Sequence, residues 1–192
     1  MKTGLFFGSF NPIHTGHLIL ANHIQQNTDL QQVWFVVTPR SPFKQNESLA
    51  DDYQRLAMVE MAIEKYPNLR ANNIEFSLPQ PNYTVVTLAA LREKFPAHTF
   101  SLIMGEDNLT GLHKWKNSDY LVSEYDIYVY PRLHKDVKKP KVPLDRIHRI
   151  EAPVIEISST FIRNSLAEGK NVRPLLPPEV FEYIDGSSLY KK

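Results

Sequence analysis

The sequence predicts an α/β fold built on a mainly parallel sheet, and three observations predict it. Short continuous apolar runs, such as Val33–Val37 (VWFVV) and Thr99–Met104 (TFSLIM), fit strands buried on both faces, as parallel strands are when helices cover them. Segments of helix length and mixed polarity separate these runs, so strands and helices alternate along the chain. The 192 residues, 42% hydrophobic and 22% charged, have the size and composition of one globular domain.

The elements follow in order. Leu5–Gly8 is a short apolar strand that ends in glycine. A helix begins near Gly16 and runs to about Gln26, and Val33–Val37 is the next strand. Thr38–Ala50 is a polar, proline-bearing loop. Asp51–Lys65 is a helix with Leu56, Val59, Ala62 and Ile63 on one stripe. Arg70–Phe76 reads as a strand, and Thr84–Lys94 as a helix stopped by Pro96. Thr99–Met104, Asp126–Tyr130 and Ala152–Ile157 read as further strands. A helix from Ser159 to about Ala167 is followed by Gly169, which suits the position just beyond a helix end. Pro178–Ile184 is a last short helix. In parallel α/β sheets ligands bind beyond the carboxyl ends of the strands. The residues to inspect are therefore those after Phe7, Val37, Met104, Tyr130 and Ile157.

Composition excludes several classes of function. There is no cysteine, hence no disulfide, thiolate metal site or cysteine nucleophile. Asn11, Pro12 and His14 interrupt the first apolar stretch, which does not fit a signal peptide, and no run has the length of a membrane span. These features point to the cytoplasm, with neither membrane nor nucleic acid expected as partner at a net charge of +1. A homo-oligomer is left open. Arg132–Arg149 is locally basic, with seven Lys/Arg against two Asp. It reads either as an anion-attracting loop or as a solvated connector between strands, and Pro140 and Pro143 favour the connector. Glycine is scarce, 7 against 14 prolines, yet Gly4, Gly8 and Gly16 all fall in the first sixteen residues. Glycine is favoured where the backbone turns sharply or approaches a ligand, which draws attention to the N-terminal segment.

Gly8-Ser9-Phe10-Asn11-Pro12-Ile13-His14-Thr15-Gly16-His17 lies between a strand and a helix. A helix start offers free N–H groups and partial positive charge to a phosphate, and histidines three residues apart can share one side of it. Ile157-Ser158-Ser159-Thr160-Phe161-Ile162-Arg163 also follows a strand and opens a helix. Its hydroxyls suit a helix cap or phosphate oxygens, and Arg163 suits a forked phosphate contact. Gly105 and Asp107 follow a strand, with Asp107 placed for hydroxyls such as those of a ribose.

The first segment resembles the H-x-G-H signature of the nucleotidylyltransferase superfamily, which is related to class I aminoacyl-tRNA synthetases. Its G-S-F-N-P-I-H-x-G-H form is similar in particular to nicotinate mononucleotide adenylyltransferases. Ile157–Arg163 resembles the superfamily's second signature, I-S-S-T-x-I-R, throughout. Met104–Leu109 followed by Trp115 resembles that branch's G-x-D-N-L and tryptophan. Pro39–Lys44 is similar to its P-x-x-P-H-K loop, with Phe43 in place of histidine. Asn82-Tyr83-Thr84 is similar to S-Y-T, with Val86 where an aspartate is common. Val172–Ile184 also looks like the family's ending, so the resemblance covers nearly the whole chain.

The resemblance implies a Rossmann-like, doubly wound, mainly parallel sheet with helices on both faces. It implies one domain over residues 1–192, with the helical part at about 158–192 packed on it. The implied reaction belongs to NAD biosynthesis: ATP and nicotinate mononucleotide give deamido-NAD and diphosphate. His14, His17 and Arg163 are the expected catalytic residues. The expected ATP site comprises these three with Gly8, Ser9, Phe10, Gly105, Asp107, Ile157, Ser158, Ser159 and Thr160. Lys44, Tyr83, Thr84 and Trp115 are expected to bind the mononucleotide, with Trp115 flanking its pyridine ring. Mg2+ is expected on the ATP phosphates, with no metal site built by the protein. Phosphopantetheine adenylyltransferases share both signatures but usually read T-F-D-P at the first, whereas S-F-N-P, G-E-D-N-L and Trp115 favour the nicotinate branch. Cytidylyltransferases share the H-x-G-H logic and fit the other segments less well. A nucleotide-sensing or RNA-binding module would use the basic segment, and intact His14, His17 and Arg163 argue against it.

Overall fold

The computed structural model describes residues 1–42, 49–133 and 139–191. Six parallel strands, β1 (Lys2–Gly8), β2 (Gln32–Val37), β3 (Leu69–Asn72), β4 (Thr99–Gly105), β5 (Ile127–Tyr130) and β6 (Ile147–Arg149), form one sheet in the order β3-β2-β1-β4-β5-β6. The helices are α1 (Thr15–Asn27), α2 (Asp52–Ile63), α3 (Thr84–Lys94), α4 (Glu106–Gly111), α5 (Ser118–Glu124), α6 (Ser159–Ala167) and α7 (Pro178–Asp185). The chain winds outward from β1 to β3, then returns to lay β4 against β1. This is the Rossmann-like, doubly wound arrangement, and its order reverses between β1 and β4, where a crevice opens at the strands' carboxyl ends.

Side chains on a strand alternate between faces, and here both faces are apolar. Phe6, Val33, Phe35, Val37, Ile103, Tyr128 and Tyr130 join one core with α1, α2, α6 and α7. Leu5, Trp34, Val36, Leu102, Met104, Ile127 and Val129 join a second core with α3, α4 and α5. Helices therefore cover both faces. Among the described residues no helix is long and apolar enough to cross a membrane.

Local chemistry sets the helix ends. Asp51 caps α2, its carboxylate accepting from the N–H groups of Tyr53 and Gln54. Ser158 caps α6 by accepting from Phe161 N–H at 3.2 Å. Gly169 follows α6 with φ +70°, its N–H donating to Leu166 O while Lys170 N–H donates to Ser165 O. This paired closure needs a residue that tolerates the left-handed region, and glycine does so without a Cβ penalty.

Three features depart from the sequence reading. The strand expected at Arg70–Phe76 ends at Asn72, whose side-chain oxygen accepts from Ile74 N–H at 2.9 Å and turns the chain into a 3-10 turn, Ile74–Ser77. The strand expected at Ala152–Ile157 is absent; Ile147–Arg149 takes that place beside β5. Pro153 has no N–H for a ladder and Val154 is 46% exposed, while Ala152, Ile155 and Ile157 pack loosely on the first core. Helices α4 and α5, of six and seven residues, were not anticipated because they are too short to show a periodic stripe.

The basic stretch is the connector from β5 to β6, and its described ends are paired. Arg149 bonds Glu106, Arg146 lies 3.7 Å from Asp126, and Arg132 lies 3.9 Å from Asp107.

Candidate active site

The site lies at the carboxyl ends of β1 and β4. Gly8 ends β1, and Phe10 then takes φ +45° and folds its buried ring back over Gly8. A Cβ at Gly8 would lie 2.9–3.2 Å from that ring, so glycine is required by close approach. Phe10 is wedged among Phe6, Phe35 and His17 at centroid distances of 5.1–6.1 Å. The aromatic cluster holds the non-glycine residue in its unfavourable backbone region.

His14 is the extended residue just before α1, and His17 lies in the first turn. Their rings stack at 3.7 Å with an interplanar angle of 21°. His14 N–H donates to His17 Nδ1 at 3.2 Å. A ring nitrogen that accepts carries no proton, so this bond selects the neutral tautomer of His17 with its proton on Nε2. Burial, reinforced by the positive charge of Arg132, lowers the His14 pKa to about 4. His14 is 5% exposed, and its Nδ1 has no hydrogen-bond partner. The result is a stacked pair in which His14 is uncharged at neutral pH. Gly16 leaves room for it, since a Cβ there would sit 3.1 Å from His14 Nδ1 and from Ile155.

This arrangement predicts a pH dependence. The unfolded His14 titrates near its ordinary 6.5 and the folded one near 4. Between these values the unfolded state binds the extra proton, so the His14 contribution to stability is complete above about pH 6.5 and declines as pH falls toward 4. Urea denaturation of the wild type and of His14→Gln at pH 7.5, 5.5 and 4.5 measures this. The wild type is expected to lose more stability than the variant, and parallel losses would refute it.

The second motif is bolted to the first. Arg163 Nη1 donates to Asn11 O at 2.8 Å and Nη2 to Thr160 Oγ1 at 3.3 Å, while Ser159 Oγ donates to Pro12 O at 2.8 Å. Ile157 is half-buried beside them. Gly105 ends β4, and Asp107 stands in the first turn of α4, within 3.9 Å of Arg132. Gly8, Ser9, Phe10, His14, His17, Gly105, Asp107 and the Ile157–Arg163 segment thus come from three β-to-α junctions of one sheet edge. Tyr83 and Thr84 begin α3, and Trp115 follows the turn after α4; all three are half-buried. Tyr83 and Trp115 are linked through Lys116, whose ammonium lies 4.6 Å over the Tyr83 ring. Lys44 and Phe43 lie outside the described residues.

Three supporting residues escaped the sequence reading. Arg55, fully buried on α2, donates to Ser9 O at 2.5 Å, Thr38 O at 3.0 Å and Ala50 O at 3.1 Å. Tyr190 donates its hydroxyl to Asn11 Oδ1 at 2.7 Å, and burial holds its pKa above the usual phenol range. Asn11 Oδ1 also accepts Ala50 N–H at 3.1 Å. Arg132 reaches the site from the end of β5, close over the Tyr130 ring. No local pattern marks these roles, because the site residues they meet, Ser9 for Arg55, Asn11 for Tyr190 and Asp107 for Arg132, lie far away in sequence.

Comparisons with known proteins bear on the family and the fold. A family profile described as Cytidylyltransferase-like matches residues 5–165. A chain from Flavobacterium psychrophilum, named "Probable nicotinate-nucleotide adenylyltransferase", is 58% identical over 193 aligned positions that cover 100% of both chains. A chain of the same name from Flavobacterium johnsoniae is 56% identical, again over 100% of both. Among solved structures, the Plasmodium falciparum nicotinic acid mononucleotide adenylyltransferase complexed with NaAD shares the fold with a TM-score of 0.79 at 21% identity, covering 98% of this chain and 97% of that one. By profile, identity and coverage, the chain belongs to the cytidylyltransferase-like family, among the nicotinate-nucleotide adenylyltransferases.

Proposed function

We propose that this chain transfers the adenylyl group of ATP to nicotinate mononucleotide, giving deamido-NAD and diphosphate. A phosphate oxygen of the mononucleotide forms a bond to the α-phosphorus of ATP, and the bond from that phosphorus to the bridging oxygen of the β-phosphate breaks. The electron pair leaves with diphosphate. No protein nucleophile is required; positioning and charge stabilisation carry the reaction.

The observation that carries this reading is the stacked His14–His17 pair at the start of α1, joined to Arg163 through the Asn11 carbonyl. His17 Nε2–H and the neutral His14 donate to the triphosphate as charge moves toward the leaving diphosphate. Arg163 and the Ser158–Thr160 hydroxyls and amides hold its β and γ phosphates. The amides around Ser9 and Phe10 face the reacting phosphates, and Asp107 accepts from the adenosine ribose. Arg132 adds a second guanidinium to the field. Mg2+ bound to the ATP phosphates would neutralise part of their charge. A cysteine-free composition supports a cytoplasmic location.

Diphosphate release with ATP and each of four acceptors tests the proposal: nicotinate mononucleotide, its amide, phosphopantetheine and glycerol phosphate. Turnover with the nicotinate compound is expected, and turnover with phosphopantetheine alone would overturn the assignment. The Asp107 role has its own test. A Cβ at Gly105 would overlap Asp107 Oδ1 and lie 3.1 Å from Arg132 Nε, so Gly105→Ala displaces that carboxylate. The variant is expected to raise KM for ATP about tenfold, the size of one charged hydrogen bond. An unchanged KM would remove Asp107 from the ribose.

A further inference from the structure

Nicotinate and nicotinamide mononucleotides differ by one negative charge on the ring substituent. A fixed positive charge beside that substituent attracts the carboxylate and not the amide, and so adds discrimination to that of neutral donors. Tyr83, Thr84 and Trp115 are the residues expected to bind the mononucleotide, and all three are half-buried. Lys116 follows Trp115, and its ammonium rests 4.6 Å over the centre of the Tyr83 ring. The ring face attracts the cation and restricts it, lowering the ordering cost of a further contact.

The surroundings leave this charge uncompensated. Among the described residues no carboxylate pairs with Lys116. The first turn of α3, which Tyr83 precedes, contains no acidic residue, and Val86 there is 36% exposed.

We infer that Lys116, held over Tyr83 beside Trp115, is the specificity-determining residue that favours the acid mononucleotide over its amide. The inference rests on the adenylyltransferase reading above. The ammonium supplies the charge, Tyr83 fixes where it stands, and Trp115 brings the ring substituent to it.

The test is steady-state kinetics with ATP and each mononucleotide, for the wild type, Lys116→Met and Lys116→Arg. Methionine keeps the aliphatic length and removes the charge; arginine restores the charge. The ratio of kcat/KM for the acid to that for the amide is expected to fall about five- to tenfold in Lys116→Met, the range for one partly solvated charge contact. The fall should lie mainly in KM for the acid, and Lys116→Arg should recover most of it. Tyr83→Leu, which frees the ammonium, should lower the ratio in the same direction. An unchanged ratio in Lys116→Met, with either compound still turned over, overturns the role of Lys116 and leaves the adenylyltransferase reading intact. A wild type that adenylates neither mononucleotide overturns that reading and this inference together.

Discussion

His17→Ala is expected to lower kcat about 10²–10³-fold, the usual loss on removing one well-placed donor to a developing charge. The tautomer makes His17 such a donor. His14 N–H donates to His17 Nδ1 at 3.2 Å, which leaves the His17 proton on Nε2. Alanine removes that donor and also the ring that His14 stacks on at 3.7 Å. His17 is half-buried against Phe6 and Phe10, so some stability is lost as well. Single-turnover rates measured at saturating ATP, with a thermal melt of the same sample, separate the two effects. His17→Gln, which keeps an N–H at similar reach, should recover part of the rate. A near-normal rate in folded His17→Ala would exclude His17 from the chemistry.

Arg55→Met is expected to cost about 3–5 kcal/mol of stability, as removal of one partner from a buried charge network does. The guanidinium is fully buried and pairs with Asp52. It also satisfies the carbonyls of Ser9, in the β1–α1 loop, and of Thr38 and Ala50, at the two ends of the β2–α2 loop. Methionine fills similar space and leaves those acceptors without their donor, each at a cost of about 1–3 kcal/mol where water cannot replace it. Urea denaturation measures the loss, and a change below about 1 kcal/mol would show that water or a neighbour takes over the carbonyls. Because Ser9 O is one of them, kcat should fall in the folded fraction too. Tyr190 holds the same loop from the other side through Asn11 Oδ1.

His17 opens α1 and Arg55 reaches the loop before it from α2, yet only His17 is legible in the sequence. His17 lies in a local pattern of glycine, proline and histidine whose chemistry can be read without a fold. Arg55 sits one position before Leu56 on α2, where the apolar stripe alone suggests a solvent-facing cation. The structure instead buries Arg55 completely and leaves Leu56 half-buried. Arg132 shows the same limit. It looked like the first charge of a basic connector, and it stands beside His14 and Asp107.

Elements whose signal is local are legible in the amino-acid order alone. VWFVV and TFSLIM are strands because continuous apolar runs have no other place in a parallel sheet, and Ser158 and Gly169 bracket α6 because they complete its end groups. The two signature motifs are legible in the same way, since each is a contiguous run that opens a helix. The tertiary structure decided what depends on distant partners. β6 falls at Ile147–Arg149 and not at Ala152–Ile157, because pairing with β5 needs the N–H that Pro153 lacks. The bolt from Arg163 to Asn11, the bond from buried Arg55 to Ser9 and the perch of Lys116 on Tyr83 likewise join residues far apart in sequence. Those contacts are realised only after the sheet order has brought the carboxyl ends of β1 and β4 side by side.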